Sequence, residues 1–183
     1  MKQKQTKKIS ILVGSLLLVF VTFVFVFGRK ILLVNISPSV PVGLYVVNPF
    51  KKNLSYGDLV RFCGPRWIVK RQYVPASQNC SDGRPALMKR VEGLPGDTIE
   101  NRAGRIFVNG KITKAVALRA DSHGNPVPQI GKLVVRDNEF FPLSTFNVRS
   151  LDGRYFGVVD KKRILYHYLC VVCFVKYGAN END

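Results

Sequence analysis

Histidine is nearly missing from this chain: 183 residues hold only two, His123 and His167. His167 lies within an apolar run and His123 in the turn-rich stretch D-S-H-G-N-P-V-P. Neither is placed to serve as a catalytic base, which weighs against Ser-His-Asp chemistry. A second C-x-x-C and a paired His motif are missing as well, so Cys170 and Cys173 complete no metal site. Residues three apart in a strand point to opposite faces, so these two cysteines are expected as unpaired core or surface thiols. Acidic residues number 12 against 28 Lys and Arg, a formal charge of +16. Outside one N-terminal run there is no long 3.6-residue periodicity, and no internal repeat. Helical bundles and solenoids are therefore disfavoured.

What is present points to a folded domain behind an anchor. Hydrophobic residues make up 46%, with twelve Phe and seven Tyr to fill a core. Ile9–Phe27 is a run of nineteen positions without a charge. At about 1.5 Å per residue, it matches a hydrocarbon core of about 30 Å. Lys2, Lys4, Lys7 and Lys8 precede it, while only Arg29 and Lys30 follow closely. The positive-inside rule then leaves the N-terminus cytoplasmic and the remainder outside. A cleaved signal peptide would carry a shorter apolar region and an A-x-A-like site, neither of which is seen. The expected division is a basic tail at 1–8, a transmembrane helix at 9–28 and an extracytoplasmic domain at 29–183. That outer part keeps +10 of the charge, since the first thirty residues hold six basic and no acidic side chains. Anionic lipid headgroups or nucleic acid would both attract it, and the anchor favours lipid.

The outer domain reads as all-β with several short strands. Candidates are Ile31–Val34, Leu44–Val47, Leu59–Phe62, Trp67–Val69, Leu133–Val135 and Tyr155–Val159. Ile106–Val108 and Lys111–Thr113 flank Asn109-Gly110, the signature of a type I′ hairpin. Ile164–Val175 is too short to span a bilayer as a helix and fits a final strand or a membrane-surface segment. Cys63 and Cys80, seventeen positions apart in a loop-rich stretch, would form a disulfide in an oxidising compartment or remain free thiols. The bridge would contribute roughly 3 kcal/mol by loop closure.

Two stretches carry candidate chemistry. Asn35–Tyr45 reads N-I-S-P-S-V-P-V-G-L-Y, with Ser37 and Ser39 each beside a proline. Pro38 and Pro41 favour extended backbone before them, and an extended chain would put both hydroxyls on one side. A stiff connector is the plain alternative. In Ala86–Val91, read as a strand, Leu87, Lys89 and Val91 share a face. A lysine buried there loses its preference for the ammonium form and could accept a serine proton. A lysine snorkelling at a strand edge is the competing reading.

These stretches resemble the signal peptidase I family of Ser/Lys membrane proteases, and within it the conjugal transfer branch of TraF-type peptidases. N-I-S-P-S-V-P-V-G-L-Y is similar to the branch's nucleophile box and M-K-R-V-E-G-L-P-G-D, at Met88–Asp97, to the family's general-base box. G-D-L-V-R-F at Gly57–Phe62, I-F-V-N-G-K at Ile106–Lys111 and R-S-L-D-G-R-Y-F-G at Arg149–Gly157 follow the family's order. The resemblance implies that Ser39 is the nucleophile and Lys89 the general base. It implies an oxyanion hole from Ser37 Oγ and the Ser39 N–H, and a Ser150 hydroxyl bonded to the lysine amine. Asp152 and Arg154, two apart in an extended segment, would brace the site; otherwise they are a surface ion pair worth under about 1 kcal/mol. Position 153 is Gly where the family usually has Ser. The short span from Lys89 to Ser150 leaves little room for the second β-domain of larger leader peptidases.

The expectation is a serine endopeptidase on the bacterial inner membrane, its domain periplasmic, processing preproteins or pilin precursors after small residues. No metal or organic cofactor is expected; the lipid bilayer is a partner and nucleic acid is not. Four alternatives stand beside it: a non-enzymatic anchored assembly factor, a housekeeping signal peptidase, a LexA-like self-cleaving regulator, and nucleic-acid binding by the +10 outer domain. The LexA-like reading would need a DNA-binding module where the apolar run lies, and nucleic-acid binding would show as salt-dependent DNA affinity.

Overall fold

The computed structural model describes residues 13–19, 22, 31–70 and 80–174. The basic tail and most of the anchor run fall outside them; residues 13–19 are helical, with Leu16, Leu17, Leu18 and Val19 exposed. Among the described residues no helix is long and apolar enough to cross a membrane.

The rest is mainly β, as expected. Among the described residues eleven strands form two sheets: β1 (Leu32–Asn35), β2 (Val42–Val47), β3 (Leu59–Cys63), β4 (Ala86–Gly93), β5 (Thr98–Arg102), β6 (Arg105–Val108), β7 (Lys111–Val116), β8 (Lys132–Val134), β9 (Glu139–Leu143), β10 (Val159–Asp160) and β11 (Ile164–Phe174). The larger sheet runs β1-β2-β11-β3-β4-β9-β10 and the smaller β7-β6-β5-β8. The smaller sheet lies wholly between Lys89 and Ser150. Its hairpin turns where expected: Asn109 and Gly110 both take positive φ, 51° and 76°, as a type I′ turn requires.

β9 is the wall between two cores. Its alternation sends Phe140 towards Val60, Phe62, Leu87 and Val91 of the larger sheet. Phe141 and Leu143 go the other way, to Ile99 and Ile106 of the smaller sheet and to Val135 just after β8. Phe62 meets Phe140 edge-on at 5.4 Å, a favoured aromatic geometry. Asp97, in the turn between β4 and β5, accepts hydrogen bonds from Leu94 N (2.6 Å), Tyr56 OH (2.7 Å) and Asn109 Nδ2 (2.7 Å). One carboxylate thereby ties three loops together, which accounts for its place after Gly96.

Several expectations are corrected. Trp67–Lys70 is a single helical turn, not a strand; it follows Gly64-Pro65 at the end of β3. Tyr155–Val159 is not one strand: Gly153–Phe156 is a short helix capped by Asp152, and only Val159–Asp160 pairs, with β9. Cys170 and Cys173 are not unpaired; they are joined, with Cα atoms 6.0 Å apart. The reason is a bulge. Cys170 pairs with Tyr45 and Val172 with Leu44, so Val171 is an extra residue that inverts the alternation. Both cysteines then share a side. Gly43 makes the bulge possible, because a Cβ there would overlap Val172 O and lie 2.8 Å from Cys173 Cα. Cys63 and Cys80 are also joined, with Cα atoms 6.1 Å apart.

Candidate active site

The site grows from the β1–β2 connection. Residues 36–41 form a turn, with Pro38 and Ser39 at its apex, rather than the extended segment expected from the two prolines. The turn is held from inside by buried Asn35. Its Nδ2 donates to the carbonyls of Ser37 (2.8 Å), Pro41 (3.1 Å) and Val40 (3.3 Å), and its Oδ1 accepts from Ser37 N (3.2 Å). Tyr45 OH donates to Pro41 O at 2.5 Å. One amide thus satisfies four backbone groups of a tight loop, an Asx-type use of asparagine. Sequence reasoning assigned Asn35 no role; its place at the head of N-I-S-P-S was the available signal.

The turn presents both serines to one cavity, although not by strand alternation. Ser37 Oγ donates to Ser39 Oγ at 3.4 Å and accepts from Ser39 N at 3.5 Å, both long. Ser37 is exposed and Ser39 half-buried.

Lys89 reaches the same cavity from β4. In that strand Leu87, Lys89 and Val91 are buried while Met88, Arg90 and Glu92 are less so, the alternation that places the lysine on the apolar face. Lys89 stands opposite Val60 in β3 and is 4% exposed. Burial lowers its pKa to about 8; the Asp152 carboxylate opposes that shift and the Arg154 guanidinium adds to it. Ser37, Ser39 and Lys89 line a cavity of about 650 Å³, with Leu33, Ile36 and Leu151 among its apolar walls.

Ser150 and the Asp152–Arg154 pair close the back of the site. Ser150 is 2% exposed, and its Oγ donates to Ser39 Oγ at 3.1 Å. The resemblance implied a bond to the lysine amine; here the hydroxyl meets the other member of the candidate dyad. Asp152 and Arg154 are both 0% exposed, which rules out a surface ion pair. Nor do they sit in an extended segment: Asp152 caps the helix that contains Arg154. The pair is bidentate, Nε to Oδ1 and Nη2 to Oδ2, each 2.8 Å. Arg154 spends its other donors on the carbonyls of Val116 (2.8 Å), Ser144 (2.6 Å) and Val148 (3.2 Å), binding the 144–148 loop to β7. Gly153 explains itself: a Cβ there would lie 2.5 Å from Phe141 Cε2 and 2.6 Å from Pro142 O. Any larger side chain at this position has to push β9 aside. Cys63 and Cys80 take no part in the cavity; they clip the loop that joins β3 to β4.

The arrangement can do nucleophilic chemistry. A half-buried hydroxyl, a buried amine with a depressed pKa and two donor hydroxyls converge on one cleft, the constellation expected of an activated serine.

Comparison with known proteins gives the same direction. The family described as Signal peptidase, peptidase S26 matches residues 4–172. A plasmid transfer protein TraF of Escherichia coli is 33% identical over 173 residues, covering 89% of this chain and 93% of that protein. The conjugal transfer protein TraF of Agrobacterium fabrum is 34% identical over 140 residues, covering 72% and 77%. A solved signal peptidase I from Enterococcus faecalis is 24% identical, with a TM-score of 0.35, covering 62% of this chain and 94% of that one; a likeness this low carries no argument.

Proposed function

The chain belongs to the signal peptidase family, peptidase S26, and from that premise we propose a membrane-anchored serine endopeptidase that cleaves exported precursors with a Ser39/Lys89 dyad. The observation that carries this reading is the shared cavity. Ser39 lines it beside a lysine whose burial brings its pKa to about 8, within reach of the neutral form that a base needs.

In the first step Lys89 Nζ takes the proton of Ser39 Oγ as that oxygen adds to the scissile carbonyl. The negative charge that develops on the carbonyl oxygen is met by the Ser39 N–H and by the Ser37 hydroxyl, which turns from its long contact with Ser39 Oγ. Removing one such donor costs about 10²–10³ in rate. The lysine ammonium then protonates the leaving amine, and an acyl-enzyme on Ser39 remains. A water, deprotonated by the same amine, releases the carboxylate product. Ser150, donating to Ser39 Oγ, holds the nucleophile's rotamer.

The anchor and the lipid surface belong to this proposal. The uncharged run Ile9–Phe27 supplies the anchor. On β1 and β11, Leu32, Val34, Leu169, Val171 and Phe174 are all exposed, as is Ile36 at the start of the turn. Such an apolar patch beside the nucleophile turn suits a catalytic face resting on the bilayer. The domain would face the periplasm, with the N-terminus cytoplasmic. Because the relatives are plasmid and conjugal transfer proteins, the substrate class proposed is a pilin or another transfer-system precursor.

The test is co-expression with candidate pilin precursors, the mature ends being read by mass spectrometry. Ser39→Ala and Lys89→Ala should each abolish processing while the protein stays folded and inserted. Full activity in Lys89→Ala would sink the dyad.

A further inference from the structure

Ser144 sits one residue beyond β9, 1% exposed, and belongs to none of the motifs read from the sequence. Every polar group it has is engaged. Its N–H donates to Asp152 Oδ2 at 2.9 Å and its carbonyl accepts from Arg154 Nη2 at 2.6 Å. Its Oγ accepts from Phe146 N at 3.4 Å and donates to the backbone carbonyl of Ser39, 105 positions away.

The last contact stands apart from those around it. The carbonyls of Ser37, Val40 and Pro41 are held by Asn35, from the strand that leads into the turn. The Ser39 carbonyl is held instead by Ser144, from just beyond the end of β9. A fixed carbonyl sets ψ of Ser39, and the N–H facing Ser37 Oγ sets the other side of the residue. With both peptide planes set, the direction of the Cα–Cβ bond follows. The Ser150 contact then selects the rotamer.

We infer that Ser144 is a positioning residue for the nucleophile: its hydroxyl fastens the Ser39 backbone to the buried Asp152–Arg154 pair. This rests on the proposed serine-peptidase reading and adds to it. The buried pair then has a task beyond holding its own loop. It fixes the peptide groups of Ser144, whose side chain fixes the nucleophile, so the β9 end and the β1–β2 turn cannot drift apart. A misplacement of about 1 Å at a reacting atom can cost about 10² in rate.

The experiment uses the full chain in detergent, with a precursor peptide and a penem-type serine-acylating probe, and compares wild type, Ser39→Ala, Ser144→Ala and Ser144→Thr. The expected result is a fall in kcat of about 10- to 100-fold for Ser144→Ala. KM should stay within about twofold, and the midpoint of the pH–rate profile should not move, because none of the hydrogen bonds of Ser144 goes to Lys89 and the change removes no charge. Ser144→Thr, which keeps the hydroxyl, should regain most of the loss. Ser144→Ala with kcat within about twofold of wild type overturns the inference. So does an equal loss in Ser144→Ala and Ser144→Thr with both thermal midpoints lowered, since the residue then only fills the core. A wild type that neither cleaves the peptide nor is acylated at Ser39 refutes the peptidase reading itself, a result distinct from either.

Discussion

Lys89 should weaken the fold it serves, and replacing it with methionine should measure by how much. In the unfolded chain a lysine titrates near 10.5; in the folded protein burial brings Lys89 to about 8. A lysine depressed in this way destabilises the folded state fully below the folded value. The penalty fades as pH rises towards 10.5, because both states are then neutral. The linkage relation gives a penalty of about 3 kcal/mol at pH 7, about 2 at pH 9 and under about 1 at pH 10. Methionine has similar length, suits the apolar neighbours Leu87 and Val91, and carries no charge. Asp152 is not orphaned by the change, since Arg154 and Ser144 N remain bonded to it. Lys89→Met should therefore raise the unfolding free energy by about 3 kcal/mol at pH 7 while abolishing processing. The assay is denaturant unfolding of both proteins at pH 7, 8, 9 and 10, comparing only their difference. A difference that stays flat with pH, or a variant less stable at pH 7, would refute the claim that a buried, charge-averse lysine faces this cavity.

Two more outcomes follow from the same geometry. Asp152→Asn leaves Arg154 buried without its counter-charge, so stability should fall by about 3–5 kcal/mol in thermal unfolding. The Asp152 carboxylate also holds the Lys89 pKa up, so the midpoint of the pH–rate profile should move below that of wild type. Gly153→Ser forces Phe141 and Pro142 aside; a loss of about 1–3 kcal/mol is expected in denaturant titration.

Much of this was legible in the sequence where one residue type dictates one conformation. Asn109-Gly110 fixed a hairpin because few other pairs accept two positive φ values. The alternation Leu87, Lys89, Val91 gave the burial of the lysine because a strand has no other way to sort those side chains. The failures share a different cause. Trp67–Val69 and Tyr155–Val159 are apolar enough for strands, but their ends are set by tertiary contacts: the turn after Pro65 and the cap of Asp152. Cys170 and Cys173 obeyed strand alternation only until Val171 bulged, and the bulge depends on Gly43, well over a hundred positions earlier. Pro142 interrupts the apolar run of β9, so the run does not mark a strand, yet Pro142 pairs opposite Val91. At the candidate site, Ser37, Ser39, Lys89, Ser150, Asp152 and Arg154 were all nameable from their motifs. What escaped were Asn35 and Ser144, which act through backbone carbonyls. Such contacts leave no spacing or residue pairing to read, since the partner's side chain is not involved.

The dyad itself is most directly tested by acylation of Ser39. The full chain is incubated with a penem-type probe across pH 6 to 10, and the adduct is followed by intact mass and located by peptide mapping. A single adduct on Ser39, forming at a rate that rises with a midpoint near the Lys89 value of about 8 and absent in Lys89→Ala, is the predicted result. Labelling elsewhere, or a Ser39 adduct that forms equally fast without Lys89, would contradict it.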